Sequence, residues 1–426
     1  MPVPNIRLRA TSVDLLALPW ARPLGEWPPD AARFRQPPVG ASRHIVRFVE
    51  CGAMTYALKE LPIEAARREY RILRELEARE FPAVRPFGLV ERAEEGDAIL
   101  VTEYLERSFQ FRRLFRRLPA GDRAHRERLL DALAGLLVDL HRAGVFWGDA
   151  SLANALFRRD GQLLQAFLVD AETSEAHPGL SDGQRTLDLE ILVENVAGDL
   201  LDLGALLGRA EALIDEDVAG AESIADRYRR LWGELHNDML IGLEEGSLVE
   251  ARIRRLNELG FAVDEVVLEP VDGRRRLRLE VAVTSRHFHA QALRRLTGLD
   301  VGEGQATILL NDLRAFHGRI QAQADLPIPE QEAAERWLGD VVRPAMARLA
   351  GLPDSPADLV QAYCDLLEVR WLLSERACRD VGDDVAVDAL AARRAPPDSA
   401  AVMALAESPT QVFDVREWTA QEPVDA

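Results

Sequence analysis

Lysine is almost absent from this sequence of 426 residues: of its 52 lysine and arginine residues, only Lys59 is a lysine. Cysteine is also scarce, and the three scattered residues Cys51, Cys364 and Cys378 exclude a disulfide framework and a CxxC metal site. No apolar run approaches the roughly 20 residues that span a bilayer. The N-terminus lacks the basic-then-apolar pattern of a signal peptide. We therefore expect a cytoplasmic protein without a transmembrane segment.

Basic charge is in deficit as well. The net charge is −19 and the pI is near 5.0, so general binding to nucleic acid is not expected. A hydrophobic content of 47% and a charged content of 29% are typical of soluble globular proteins. The length allows two or three domains with a substantial core.

The first half of the chain alternates between strand and helix patterns. Residues 1–40 are rich in proline and tryptophan and are interpreted as an irregular lead-in. Two β-type runs, 44–50 and 54–61, are joined by a short turn at Gly52, and a helical pattern follows them. A second strand pair precedes a mostly helical region that continues to about residue 245. The pattern predicts a sheet-rich lobe followed by a helical lobe.

A second unit begins near residue 246. The stretch FAVDEVVLEPVDGRRRLRLEVAV predicts a β-hairpin with an Asp-Gly turn, and helical patterns follow it. The end of the chain contains proline and aspartate and is expected to be mobile. The predicted division is a lead-in at 1–40, a first domain at 41–245, a mainly helical domain at 246–385 and a mobile tail at 386–426.

The stretch LHRAGVFWGDASLANALF contains the residues that indicate chemistry. Asp149 and Asn154 are five positions apart in a predicted loop, and Asp170 ends the apolar strand that follows. Transfer of a phosphoryl group requires Mg²⁺, which prefers carboxylate and amide oxygens, and a carboxylate that accepts the proton of the attacking hydroxyl. The spacing matches the layout of protein kinases. It predicts Asp149 as the base and Asn154 with Asp170 as metal ligands.

Lys59 lies on the second predicted strand, and Glu69 follows ten positions later in the predicted helix. In the kinase layout such a lysine contacts the α- and β-phosphates and is positioned by the helix glutamate. A compact ammonium is not equivalent to a planar guanidinium at such a site. The alternative is that one lysine is a remainder of biased codon use, but its setting among the other motifs favours the phosphate-binding role.

Residues 40 to about 240 resemble the protein-kinase-like superfamily, and more closely its bacterial lipopolysaccharide-kinase (Kdo-kinase-like) branch. The resemblance depends on YALKEL, ARREYRIL, HRAGVFWGDASLANALF and FLVDAETSE. The remainder resembles a C-terminal domain of unknown function, through LTGLDVGEGQATILLNDLRAFHG and EVRWLLSERACRDVG. The implied fold class is α+β, a bilobal protein-kinase-like fold followed by a mainly α-helical C-terminal domain with one β-hairpin.

The resemblance also implies cofactors and further binding residues. ATP with Mg²⁺, or Mn²⁺ in its place, would bind between the lobes, with adenine at the backbone of Glu103 to Leu105. The loop that contains Gly40 and Ser42 would cover the phosphates. The acceptor would be a hydroxyl group of unknown identity, on a sugar, a glycolipid or a protein Ser/Thr.

The sequence departs from the kinase pattern at several positions. A GxGxxG loop is absent, Trp147 stands where a histidine is usual, and Ser151 replaces a lysine. DFG becomes Asp170-Ala171-Glu172, which adds a negative charge beside the predicted metal. These changes support a second interpretation, a nucleotide-binding pseudokinase that acts through a protein partner of its C-terminal domain.

Two other features have alternative interpretations. SFQFRRLFRRLPAG, residues 108–121, is a basic amphipathic pattern that suits either an anionic partner or an ordinary helix whose apolar face lies in the core. His287 and His289 alternate as in a strand, but no cysteine or carboxylate partner is close in sequence, so surface histidines are favoured over a metal site.

Overall fold

The structure is a computed structural model. It describes residues 4–9, 13–35, 43–117, 123–236, 239–242, 244–271, 276–284, 286–324, 326–352 and 356–404.

An antiparallel sheet forms the N-terminal lobe, with the strand order β1-β5-β6-β4-β3-β2 in the described residues. The strands are β1 Asn5–Leu8, β2 Arg33–Arg35, β3 Val46–Cys51, β4 Met54–Pro62, β5 Pro86–Arg92 and β6 Asp97–Glu103. A short helix, α1 (Val13–Leu16), follows β1, and the long helix α2 (Ile63–Ala78) follows β4. The predicted strands and the predicted helix of this region are confirmed.

Alternation along β6 explains how the sheet has two buried faces. Successive side chains of a strand point to opposite faces, and Ala98 and Leu100 belong to the core that includes α2, whereas Ile99 and Val101 pack on the other side. Helix α2 buries one stripe, which includes Ile72, against the first face. The second face is covered by the segment between β1 and β2.

Residues 1–40 are therefore more than the irregular lead-in that the sequence suggested. Their described part supplies the edge strands β1 and β2, and Trp20 and Trp27 lie in the core with their rings in edge contact. Strands of four and three residues are too short to show a two-residue period, so the pattern did not reveal them.

The second lobe is mainly helical and contains a small sheet. Its helices are α3 Phe111–Arg117, α4 Arg123–Arg142, α5 Asp182–Leu206 and α6 Glu211–His236. Its strands are β7 Ser108–Gln110, β8 Val145–Phe146, β9 Ala155–Asp160, β10 Leu163–Leu168 and β11 Glu175–Ala176. Strands β9 and β10 form an antiparallel hairpin with β7 beside β9.

The C-terminal region is mainly helical and contains the expected hairpin. Its strands are β12 Met239–Gly242, β13 Val263–Val271 and β14 Arg276–Val283. Its helices are α7 Gly246–Glu258, α8 Phe288–Thr297, α9 Glu303–Gln323, α10 Glu330–Trp337, α11 Arg343–Ala350, α12 Leu359–Ala377 and α13 Gly382–Ala391. One π-helical turn, Leu338–Val342, connects α10 to α11. Strand β12 pairs with β14, which makes a three-stranded sheet where one hairpin was expected.

Part of the predicted tail is packed into the molecule. Helix α13 runs past residue 386, and the 3₁₀ turn Ala400–Met403 is buried. Ala400 and Met403 join the core of the helical lobe, while Ala401 joins the core of the C-terminal helices. Residues 405–426 lie outside the described part of the chain. The described tail thus contributes side chains to two cores, which the sequence pattern did not predict.

The α+β fold class is confirmed: a sheet lobe and a helical lobe are followed by a mostly helical region. Among the described helices, none combines the length and the apolar character needed to cross a bilayer.

Candidate active site

Two carboxylates from different elements meet at Lys59. Its Nζ lies 3.1 Å from Oε2 of Glu69 on α2 and 2.7 Å from Oδ2 of Asp170, just after β10. Glu69 is fully buried, on the same face of α2 as Ile72 and Leu73. The strand, the helix and the loop after the hairpin thus hold one ammonium between two carboxylates.

Burial and charge set the protonation of this cluster. Burial is the largest cause that raises the pKa of Glu69, to about 7, and the charge of Asp170 adds to it, while Lys59 opposes it. For Lys59, burial lowers the pKa, but the carboxylates of Glu69 and Asp170 outweigh it, so the pKa lies above its ordinary value. The ammonium is therefore charged at neutral pH.

Glu172, which replaces the usual glycine, lies within the same cluster. Its Oε2 is 3.8 Å from Lys59 Nζ and 2.8 Å from Nε2 of His44. The backbone amide of Glu172 donates to Oδ1 of Asp170, at 3.0 Å. The sequence predicted that the carboxylate of Glu172 lies beside the predicted metal. In the structure this carboxylate contacts His44 of the N-terminal lobe.

Asp149 and Asn154 are close together in the loop before β9. The side-chain amide of Asn154 donates to the backbone oxygen of Asp149, at 2.9 Å, and to its Oδ2, at 3.2 Å. This orientation leaves Oδ1 of Asn154 for another ligand. The side chain of Asp149 is 43% exposed, so a solvent-borne molecule reaches it, and Arg43 lies 3.5 Å from its Oδ2.

Asp188 on α5 supports the loop that carries Asp149, and sequence reasoning missed it. Its buried carboxylate accepts from the backbone amides of Trp147, at 2.6 Å, and Gly148, at 2.9 Å, and it contacts Nε2 of His141, at 3.0 Å. Tyr228 holds the other nitrogen of that imidazole, at 2.7 Å. Asp188 lies within a stretch whose pattern predicts only a helix. The sequence did not indicate its role, because its partners lie about 40 residues away in the chain.

The predicted adenine-binding segment lies at the end of β6. The amide of Glu103 donates to the backbone oxygen of Arg85, and that of Tyr104 donates to the oxygen of Thr55. The oxygen of Leu105 accepts from the hydroxyl of Ser108. An adenine contact at Glu103 would therefore use its carbonyl oxygen. The other predicted phosphate-binding residues, Gly40 and Ser42, lie outside the described residues.

The remaining candidates lie apart from this cluster. His289 contacts Glu303, at 2.6 Å, and His287 lies 4.0 Å from Glu80. Phe111 and Phe115 of the basic helix are buried in the core, which supports the ordinary structural interpretation of that helix. Neither feature joins the residues around Lys59.

The donor set suits Mg²⁺ when phosphate oxygens complete its ligand shell. No group of three or more His, Cys, Asp or Glu residues arranged to hold a metal occurs in the described ranges. Mg²⁺ commonly takes only one or two protein carboxylates and obtains its other ligands from water and nucleotide phosphates. Asp170 and Oδ1 of Asn154, which accepts no hydrogen bond from the described residues, match that requirement.

Comparisons with known proteins identify two regions. Residues 53–197 match the model of the lipopolysaccharide kinase (Kdo/WaaP) family, and residues 230–393 match a domain of unknown function (DUF4032). No curated protein matches the sequence significantly. Among solved structures, "WaaP in complex with acyl carrier protein" is similar, with 18% sequence identity and a TM-score of 0.33, over 53% of this chain and 88% of that chain.

The resemblance expected from the sequence is therefore confirmed for both regions. The family whose model matches residues 53–197 is one of kinase-like phosphotransferases. The second match names no chemistry.

Proposed function

We propose that the protein is an ATP- and Mg²⁺-dependent phosphotransferase that moves a γ-phosphoryl group to a hydroxyl. The observation that carries this proposal is the position of Lys59 between Glu69 and Asp170, with Asp149 and Asn154 in the neighbouring loop. Five polar residues from both lobes thus match the roles of a kinase site. A structural role for the lysine alone does not explain why it contacts two carboxylates while Asp149 and Asn154 occupy the loop before β9.

Each residue has one task in this proposal. Lys59 binds the α- and β-phosphates, and Glu69 holds its ammonium in place from the opposite side. Asp170 and Oδ1 of Asn154 hold the divalent cation, for which Mn²⁺ is a substitute. ATP with this cation supplies the phosphoryl group and neutralises its negative charge.

Asp149 acts on the acceptor. Its partly exposed carboxylate orients the hydroxyl and accepts its proton, while Asn154 holds the carboxylate in position. Arg43, which contacts Asp149, supplies a positive charge near the place of transfer, where Ser151 provides none. The acceptor is a sugar, a glycolipid or a protein Ser/Thr, and the family name alone does not decide among them.

A direct test uses ATP labelled at the γ-phosphate, with Mg²⁺ or Mn²⁺ and with candidate acceptors of each class. Lys59→Ala and Asp170→Ala are expected to lower transfer by about 100-fold or more, as loss of one charge-stabilising group does elsewhere. Arg67→Ala is the control, because Arg67 on α2 pairs with Glu91 of β5 and does not contact the cluster around Lys59. Equal transfer by Lys59→Ala and wild type would disprove the assignment.

One observation favours a second function, a nucleotide-binding pseudokinase that acts through a protein partner. The carboxylate of Glu172 lies 3.8 Å from Lys59, where a phosphate must approach, and like charges repel. The same experiment separates the two functions: nucleotide that raises the melting temperature without any transfer supports the pseudokinase. A cytoplasmic location remains a prediction in either case.

A further inference from the structure

The tip of the β9–β10 hairpin is buried in the C-terminal region. The carboxylate of Asp160 accepts from the backbone amides of Gly304, at 2.8 Å, and Gln305, at 2.9 Å, and so satisfies two amides in the first turn of α9. The side chain of Asp160 is almost fully buried, and its burial raises the pKa of this carboxyl. The turn between two strands of one lobe thus caps a helix of another region.

The side chain of Gln361 on α12 forms hydrogen bonds with both backbone polar groups of Gly161, the next residue of the tip. Gln361 accepts from the amide of Gly161 and donates to its oxygen, each at 2.9 Å. Gly161 has a φ of +63°, and an added Cβ would meet Ile308 Cδ1 at 2.7 Å. An added Cβ at Gly304 would collide with the backbone oxygen of Asp160. The two backbones are therefore in direct contact, which only glycine allows.

An ion pair completes the contact. Arg159, the residue before the tip, donates to both carboxylate oxygens of Asp365, at 2.9 and 3.0 Å, and both side chains are buried. Gln361 also donates to Asp365, at 3.0 Å, so the separate bonds form one network. A buried polar network is rigid when all its members are satisfied.

The other end of the same hairpin carries the two residues proposed as metal ligands. Asn154 directly precedes β9, and Asp170 comes two residues after β10. The amide of Val169 donates to the oxygen of Asn154, at 3.1 Å, so the ladder continues to this end. Each strand has six residues, so tip and ligands are roughly 20 Å apart at about 3.4 Å per residue. A rigid hairpin joins the two places.

We propose that the C-terminal region positions Asn154 and Asp170 by holding the tip of the β9–β10 hairpin, and thereby sets the affinity of the site for its divalent cation. Gln361, Asp365 and Asp160 are positioning residues that act through the two strands. This inference rests on the proposed function, because it requires a cation at that site. The inference assigns the C-terminal region a role in cation binding by the first region.

The test measures cation binding directly in the full chain. Free Mn²⁺ is followed by electron paramagnetic resonance during titration of the protein with ADP at the protein's own concentration, well below the melting temperature, and a titration of the same ADP without protein is subtracted. Gln361→Met keeps the side-chain volume and removes the bonds of the amide to Gly161, Asp365 and Gln305. Asp365→Asn weakens the pair with Arg159. Both variants are expected to raise the Kd for Mn²⁺ about tenfold or more, as loss of supporting contacts does at other metal sites.

Arg142→Gln is the matched control. Arg142 on α4 donates to the backbone oxygens of Val283, at 3.0 Å, and Thr284, at 2.8 Å, so it joins the same two regions without touching the hairpin. The control is expected to lower the melting temperature and leave the Kd for Mn²⁺ at the wild-type value. A purely structural hairpin contact would give the same result in all three variants.

The outcomes separate this inference from the function on which it rests. If wild type binds Mn²⁺ with ADP and folded Gln361→Met and Asp365→Asn bind it equally well, the inference is wrong and the proposed function stands. If wild type binds neither Mn²⁺ nor ADP, the proposed function is wrong and the inference falls with it. Weaker binding in the two hairpin variants alone supports the inference.

Discussion

At the scale of single residues, the site is a cluster with more negative than positive charge. The ammonium of Lys59 contacts Glu69 and Asp170 closely and has Glu172 at 3.8 Å. Three carboxylates around one ammonium repel each other, and the raised pKa of Glu69 is partly a consequence of Asp170. A divalent cation would remove that excess charge, which agrees with the proposed metal role of Asp170.

Replacing the only lysine by arginine tests why a chain so rich in arginine retains it. Lys59→Arg keeps the charge near Glu69 and Asp170, but a planar guanidinium does not fit between two carboxylates and a phosphate as a compact ammonium does. We expect phosphoryl transfer to fall on the order of 100-fold, with a melting temperature near that of wild type. Transfer equal to wild type would show that any cation suffices at this position.

Glu69 gives a pH dependence that can be measured without substrate. Its pKa is raised from an ordinary value of 4.5 to about 7, so its contribution to stability is complete below pH 4.5 and is lost as the pH rises through 7. Glu69→Gln does not titrate. We expect the free energy of unfolding of wild type, relative to this variant, to fall by on the order of 3 kcal/mol at most between about pH 5 and 8.

Urea denaturation of both proteins at several pH values measures this difference. Groups that do not interact with Glu69 titrate alike in both proteins, so their contributions cancel. A difference that stays constant with pH would contradict the raised pKa.

At the scale of elements, helix α5 supports the loop that carries Asp149. Asp188 accepts from two consecutive backbone amides, those of Trp147 and Gly148, immediately before Asp149. Asn195 of the same helix donates to the oxygen of Ala150, at 2.9 Å. One helix thus fixes the backbone on both sides of the proposed base.

Asp188→Asn is expected to weaken this support with little change in shape. An amide nitrogen in place of one carboxylate oxygen faces an N–H group, so one buried donor loses its partner, at a cost of about 1–3 kcal/mol in the free energy of unfolding. We expect kcat to fall more than the affinity for nucleotide, because the base is displaced and Lys59 is not. Steady-state kinetics and urea denaturation measure the two effects, and an unchanged kcat would contradict them.

At the scale of the whole molecule, parts of the C-terminal region pack into the core of the helical lobe. Leu256 and Phe261 pack with the helical lobe, and so do Ala400 and Met403 near the end of the described chain. Conversely, the tip of the β9–β10 hairpin lies in the C-terminal region, where it contacts α9 and α12. The boundary near residue 245 therefore separates stretches of sequence more clearly than it separates folding units.

A fragment of residues 1–245 tests this interdependence. It would lose Ala400 and Met403 from its core and leave Arg159 and Asp160 without their partners. We expect a lower melting temperature, a broader transition and exposed apolar surface that binds a hydrophobic dye. A fragment that melts as cooperatively as the full chain would show that the first region folds independently.

Local pattern was sufficient for much of the fold. Strands such as β4 and β6 alternate visibly, and α2 has a clear apolar stripe, so their existence follows from periodicity. Short elements did not show a period: β1, β2 and β12 have three or four residues each, and only their pairing partners define them. Pairing between distant segments leaves no local signal.

The sequence by itself determined the set of candidate residues, Lys59, Glu69, Asp149, Asn154 and Asp170, because their types and spacings follow from the chemistry they would serve. Only the tertiary structure decided what surrounds them: the carboxylate of Asp188 beneath the loop, His44 beside Glu172, and the hold of Gln361 on the hairpin. Each of these contacts joins residues at least 40 positions apart. Such contacts depend on the path of the whole chain, which no short motif contains.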